Sequence, residues 1–207
     1  MTTPTDIIRQ AFNSMASQMH TCLPGEIVSY DYTKQKANVK ILLRKQLKDS
    51  EVFTYPELTN VPVIFPRTSE FSMHWPLNSG DNVALFFSER SLDDWLNAGG
   101  TVTPLDPRKF DLSDAIAIPG LYPFSETSPA EDNENFIINF GSAKFKMAPD
   151  GTFCFHGASE ELMNIIDELF TLLQNTTVNT SLGPQPFLNV LSYTALQARF
   201  ETLKGDC

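Results

Sequence analysis

A change of hydrophobic period restricts what this chain can fold into: one helical stretch is followed by a two-residue alternation that keeps returning in short units. Residues 4 to 20 place Ile7, Ile8, Ala11, Phe12, Met15 and Met19 on one helix face. Thr3 before Pro4 supplies an N-cap and a pre-set first turn, so an amphipathic helix is predicted within an N-terminal element, 1–22. Leu23-Pro24-Gly25 breaks it. From Glu26 the period is two, with Ile27, Ser29 and Asp31 on one face and Val28, Tyr30 and Tyr32 on the other. Val39, Ile41 and Leu43 then share a face opposite Lys36, Lys40 and Arg44, and Asn60 to Pro66 follow, with Pro62 pointing to an edge position or to the first pairs of a strand. Phe71, Met73 and Trp75 read as a fourth strand, and Val83, Leu85 and Phe87 as a fifth after the turn Asn78-Ser79-Gly80-Asp81. Five short strands in about 65 residues suit a small closed barrel. Ser91-Leu92-Asp93-Asp94 reads as a capping box opening a short helix that carries Trp95 and Leu96 and stops at Gly99-Gly100. Asp111 to Gly120 adds a loop and one extended segment, and the domain closes at residue 123.

Residues 124–135 are polar and acidic and read as a linker. In 136–157 the alternation resumes: Phe136, Ile138 and Phe140, then Phe145 and Met147, then Phe153 and Phe155, separated by Gly141-Ser142 and Pro149-Asp150-Gly151. Strands this short cannot form an independently stable sheet, so a stalk wrapped with copies of itself is expected. Residues 158–207 predict a helical hairpin. Ser159 is placed as N-cap, Leu162, Ile165, Ile166, Leu169, Phe170 and Leu173 face inward, a turn spans Thr176 to Pro186, and a second helix carries Leu188, Leu191, Leu196, Phe200 and Leu203. No charged side chain stands between Leu169 and Ala198, so this segment is expected to pack against a neighbouring subunit. Gathered hairpins would form a six-helix bundle with Leu162, Ile166, Leu169, Leu173, Leu196, Phe200 and Leu203 in its core.

Charge narrows the partners. The 207 residues carry 15 Lys+Arg and 25 Asp+Glu, a net charge of −10, of which residues 1–120 contribute −3 and residues 121–207 contribute −7. That balance argues against a nucleic-acid or anionic-membrane surface, because phosphate neutralisation needs clustered cations. No apolar run approaches the roughly 20 residues of a membrane-spanning helix, and Met1 to Asp6 lacks the basic and apolar regions of a secretory signal. Cys22, Cys154 and Cys207 are far apart and read as free thiols in a reducing compartment. His20, His74 and His156 are isolated from one another and from Cys, so no metal site is expected.

Catalytic patterns are not legible. The carboxylate pairs Asp93/Asp94, Asp111/Asp114 and Glu160/Glu161 have the type needed for acid–base work, but two of them sit where helix N-termini favour negative charge. No G-x-S-x-G, phosphate-binding glycine loop or H-E-x-x-H occurs, and Cys154 and His156 fall in the Phe-rich strands. Neither an enzyme nor a cofactor is expected. A five-stranded barrel also suits single-strand binding through stacked aromatics such as Tyr30, Tyr32, Phe71 and Trp75, though the acidity disfavours it.

Taken in order, Leu23-Pro24-Gly25-Glu26-Ile27-Val28, Asn60-Val61-Pro62-Val63, Trp75-Pro76-Leu77, Gly80-Asp81-Asn82-Val83 and Asp111 to Leu121 form a pattern over residues 5 to 123. It resembles the N-terminal OB-fold domain of membrane-puncturing spike proteins of contractile-tailed bacteriophages. The resemblance implies a fold that is mainly β with helical ends: a five-stranded OB-fold barrel, a short trimeric intertwined β stalk and the C-terminal helical hairpin. It implies a homotrimeric central spike in the virion baseplate, at the distal end of the tail, made in the host cytoplasm. Its partners would be the tail hub protein, a separate tip protein and, transiently, the host envelope during sheath contraction. Many such spikes end in a long β-helix with an H-x-H metal tip, and this chain has no H-x-H. Leu182 to Phe187 and Ala195 to Gly205 are instead similar to C-terminal segments of other phage baseplate spike proteins. The competing readings are an OB-fold protein that binds single-stranded nucleic acid or another ligand, and a peptidoglycan hydrolase, for which no insertion is long enough.

Overall fold

The structure, a computed structural model, describes residues 3–46, 51–186 and 189–205. The chain divides into two units, Met1–Ser128 and Pro129–Cys207, and the division falls inside the polar segment 124–135. The first unit opens with helix α1 (Pro4–Ala16), whose N-cap Thr3 and Asp6 form a capping box. Strands β1 (Cys22–Asp31) and β2 (Lys36–Ile41) follow, then the two-residue strands β3 (Lys45–Gln46) and β4 (Val52–Phe53), which pair with each other. Strands β5 (Leu58–Pro62) and β6 (Asn82–Phe87), the short helix α2 (Asp93–Ala98) and strand β7 (Ala115–Pro119) complete the unit.

Five of these strands make one curled antiparallel sheet in the order β5-β2-β1-β6-β7. Its two outer strands meet: Val63 bridges Ala117 in parallel, and Ile64 N–H donates to the Ala117 carbonyl at 2.9 Å. The concave side holds Ile27, Val39, Ile41, Leu58, Val61, Val83, Leu85, Phe87 and Ala117, all buried. Two irregularities set which residues point inward. Strand β1 shifts register between Ile27 and Ser29, which turns Tyr30 rather than Ser29 to the core side. In β5, Asn60 at φ 58° places both Leu58 and Val61 inside although they are three positions apart.

One strand of the curled sheet differs from the expected set. Phe71, Met73 and Trp75 do not form a strand: the segment is a loop with a single bridge between Arg67 and Ser72, flanked by Pro66 and Pro76. Its alternation serves packing instead, with Trp75 edge-on to Phe65 at 4.9 Å. Strand β7 takes that place through Ala115 and Ala117, whose small side chains fit the inside of a narrow curl while Ile116 and Ile118 lie outside. Leu43 lies beyond the end of β2 and is exposed. At α2 the expected capping box is absent, since no side chain caps the helix and the buried Ser91 hydroxyl has no partner among the described residues. The Leu92 N–H donates instead to Asp114 Oδ1 at 2.8 Å.

The second unit contains strands β8 (Phe136–Phe140), β9 (Ala143–Met147) and β10 (Phe153–His156), an antiparallel sheet in the order β10-β9-β8. Helix α3 (Leu162–Asn175) leads into a hairpin of β11 (Thr177–Thr180) and β12 (Gly183–Pro186), and helix α4 (Val190–Glu201) returns along α3. The predicted turn from Thr176 to Pro186 is therefore a β-hairpin, which the β-branched Thr177, Val178 and Thr180 favour. The α3 N-cap is Glu161, not Ser159. Cys154 is disulfide-bonded, against the free-thiol expectation, whereas Cys22 is a free thiol. Phe187, Leu188 and Cys207 lie outside the described residues.

Candidate assembly surface

The ladder of the three-stranded sheet sorts its side chains by register. Phe136, Met147 and Phe153 stand in one cross-strand row, and Ile138, Phe145 and Phe155 in the next, with Phe140 opposite Ala143 in the third. All seven predicted stalk residues thus share one face. Their rings touch: Phe145 stacks on Phe155 at 4.8 Å, Phe153 meets Phe155 edge-on at 5.7 Å, and Phe136 meets Phe145 at 6.3 Å. Yet Phe136, Ile138, Phe140, Met147 and Phe155 remain 42–66% exposed, so the face is assembled but uncovered within its own unit. The other face carries Cys154, which is buried, and the polar pairs around Lys144 and Lys146.

Both ends of this sheet are held by local hydrogen bonds. Before β8, the Asp132 carboxylate accepts from Asn135 Nδ2 and from the Glu134 and Asn135 N–H groups, which lowers its pKa to about 2. Glu131 accepts from Lys144 Nζ at 2.7 Å and from Asn139 Nδ2 at 3.0 Å, and these bonds lower its pKa. After β10, the buried Glu161 carboxylate accepts from Phe155 N–H at 3.1 Å and from Asn164 N–H at 2.7 Å, joining the strand to the start of α3. The outer edge of β10 is further paired by the chain end, through Phe153 N–H to Leu203 O at 2.9 Å and Gly205 N–H to Phe153 O at 3.0 Å. Leu203, predicted as a bundle residue, therefore lies after α4 beside β10.

The remaining predicted bundle residues fall on different sides. Ile166, Leu173 and Phe200 are half-buried, and the Phe170 and Phe200 rings meet at 5.9 Å between α3 and α4. Leu162, Leu169 and Leu196 are about half exposed. A polar clasp ties the helices together: Asp167 accepts from Gln197 Nε2 and from Lys204 Nζ at 3.3 Å, and Gln174 Nε2 donates to Gln197. The Gln197 bond, then a side-chain bond with Glu201 and the contact with Lys204, hold the Asp167 carboxyl below its ordinary pKa. Sequence reasoning missed Met163, which is buried, and Leu172, which is exposed. Their signal was present as two parallel 3–4–3 spacings along α3.

Asp93, Asp94, Asp111, Asp114 and Glu161 of the carboxylate pairs are engaged in structural bonds. Asp114, 1% exposed, receives a two-pronged Arg108 contact at 2.6 and 2.9 Å, and the same guanidinium reaches Asp93 at 2.7 Å and Asp106 at 2.9 Å. Asp111 caps the following turn through Ser113, and Asp94 accepts from Leu105 N–H at 2.9 Å. His20 packs against Tyr55 and Phe87, and burial pushes its pKa down. Among the described residues no three His, Cys, Asp or Glu side chains come together as metal ligands, and no helix is long and apolar enough to cross a membrane.

No curated protein matches the chain. Residues 23–120, which span all five strands of the curled sheet, match the phage protein Gp138 N-terminal domain family, and this match supports a virion-associated phage structural protein.

Proposed function

We propose that the protein is a homotrimeric central spike of a contractile phage tail. In this reading the curled sheet is an OB-fold barrel that caps the tail tube and docks on the hub protein of the baseplate. The sheet order, with its outer strands joined in parallel by Val63 and Ala117, supports that barrel type. The spike reading is carried by the Phe-rich face of β8, β9 and β10: seven apolar side chains in register, mostly half exposed, on a sheet too small to be stable alone. Three copies would bury these faces against one another as a stalk.

The function is mechanical. Sheath contraction pushes the trimer into the host envelope, and the helical ends either cap the tip or hold a separate tip protein. No side chain carries covalent chemistry and no cofactor takes part. The acidic C-terminal part, at −7, gives anionic lipid no cationic patch to hold, which suits passage rather than attachment. Light scattering on the full chain tests the reading. The expected result is three chain masses of 23.2 kDa each, held at micromolar concentration. A single chain mass under those conditions overturns it.

A further inference from the structure

We infer that helix α3 carries two interfaces and that the outer one is filled by α3 of two other copies, as a short parallel three-stranded coil. This rests on the trimeric reading above and adds to it which residues lie on the axis. Met163, Ile166, Phe170 and Leu173 form one seam, buried or half-buried within the unit where α3 packs on β10 and α4. Leu162, Ile165, Leu169 and Leu172 repeat the same 3–4–3 spacing one position earlier and remain 47–66% exposed. Adjacent helix positions lie about 100° apart, so one neighbour cannot cover both seams.

The occupant follows from the sequence of the outer seam. Its spacing is that of heptad positions a and d, with Leu162 and Leu169 at a, and Ile165 and Leu172 at d. Leucine at a with isoleucine at d, the pair made by Leu162 and Ile165, turns a parallel coil away from two strands toward three or four, while the second pair, Leu169 and Leu172, is leucine at both positions. The four seam positions themselves carry no charge, and the exposed Glu168 flanks them at a g position. Asp167 is turned to Gln197 and Lys204, and no charged residue occurs between Leu169 and Ala198. A helix of 14 residues is too short to hold copies together alone, which assigns the seam a role beside the Phe-rich face.

The test uses the full chain. In Ile165→Asp/Leu172→Asp the concentration at which the trimer dissociates is expected to rise at least a hundredfold, with circular dichroism of the separated chain showing intact helices. If that variant fails to fold, Leu169→Cys in a Cys22→Ser background decides: the a position oxidises to a cross-linked pair within the trimer, and Thr171→Cys, off the seam, does not. A wild-type monomer overturns both the trimer and the seam. A trimer unmoved by the double substitution, or one that does not cross-link through residue 169, overturns the seam alone and leaves the spike reading standing. A mass of four chains overturns the three-stranded arrangement.

Discussion

Gly25 sits where β1 crosses the centre of the curl, and a Cβ there would lie 2.6 Å from Val39 Cγ1 and 2.9 Å from Leu85 Cδ1. Gly25→Ala therefore overpacks the core and is expected to cost about 1–3 kcal/mol, read as a lower urea midpoint. Arg108 is the second sensitive position. It neutralises Asp114, whose side chain is fully buried, so Arg108→Ala leaves that charge, among the described residues, with the Leu92 N–H alone and should cost about 3–5 kcal/mol. Arg108→Lys recovers only part of the loss, because an ammonium cannot reproduce the two-pronged contact; thermal unfolding of the three proteins checks the order. Neither residue was legible beforehand. Gly25 looked like a helix breaker, and Asp111 and Asp114 looked like a carboxylate pair in a loop, since nothing in the spacing links Asp114 to Arg108.

At the scale of elements, Asp167 binds α3 to α4. Its folded pKa lies below the ordinary 3.8, so its contribution is complete above that value and is lost as the pH falls through the folded pKa. The protection of α4 amides against hydrogen exchange, relative to their intrinsic rates at each pH, is expected to fall on acidification below about pH 4, and less so in Asp167→Asn, which can no longer titrate. The periodicity that located β2 and β6 worked because alternate side chains of each point into the core, whereas the apolar face of α1, located by the same means, stays exposed within its unit. It failed at Phe71 to Trp75, where the alternation packs rings without a ladder, and at Thr176 to Pro186, where Gly183 and two prolines looked like a turn. In α3 it merged two seams into one inward list, because the seams adjoin in one wide apolar arc opposite Asn164, Asp167, Thr171 and Gln174.

For the whole molecule, a cut after Ser128 follows the division into units. A cut after Gly120 would remove Leu121, Tyr122 and Pro123, which with Pro24 and Leu42 line a groove of about 350 Å3, and also Glu126, which accepts from Asn82. The fragment ending at Ser128 is expected to unfold cooperatively on heating and to scatter as a monomer. A fragment that self-associates as tightly as the full chain would place the contact of the proposed trimer in the first unit rather than in the Phe-rich sheet and α3.

By itself the sequence determined the helical start, the two-residue period of the barrel strands, the seven-residue Phe-rich face and the acidic balance, since each is a local pattern of side chains and backbone. Only the tertiary structure decided which strand completes the curl, which way Tyr30 and Leu58 point past the bulges, and which partner the buried Asp114 takes. Those outcomes depend on register and on contacts between residues distant in the chain, where shifting one position exchanges the inside for the outside.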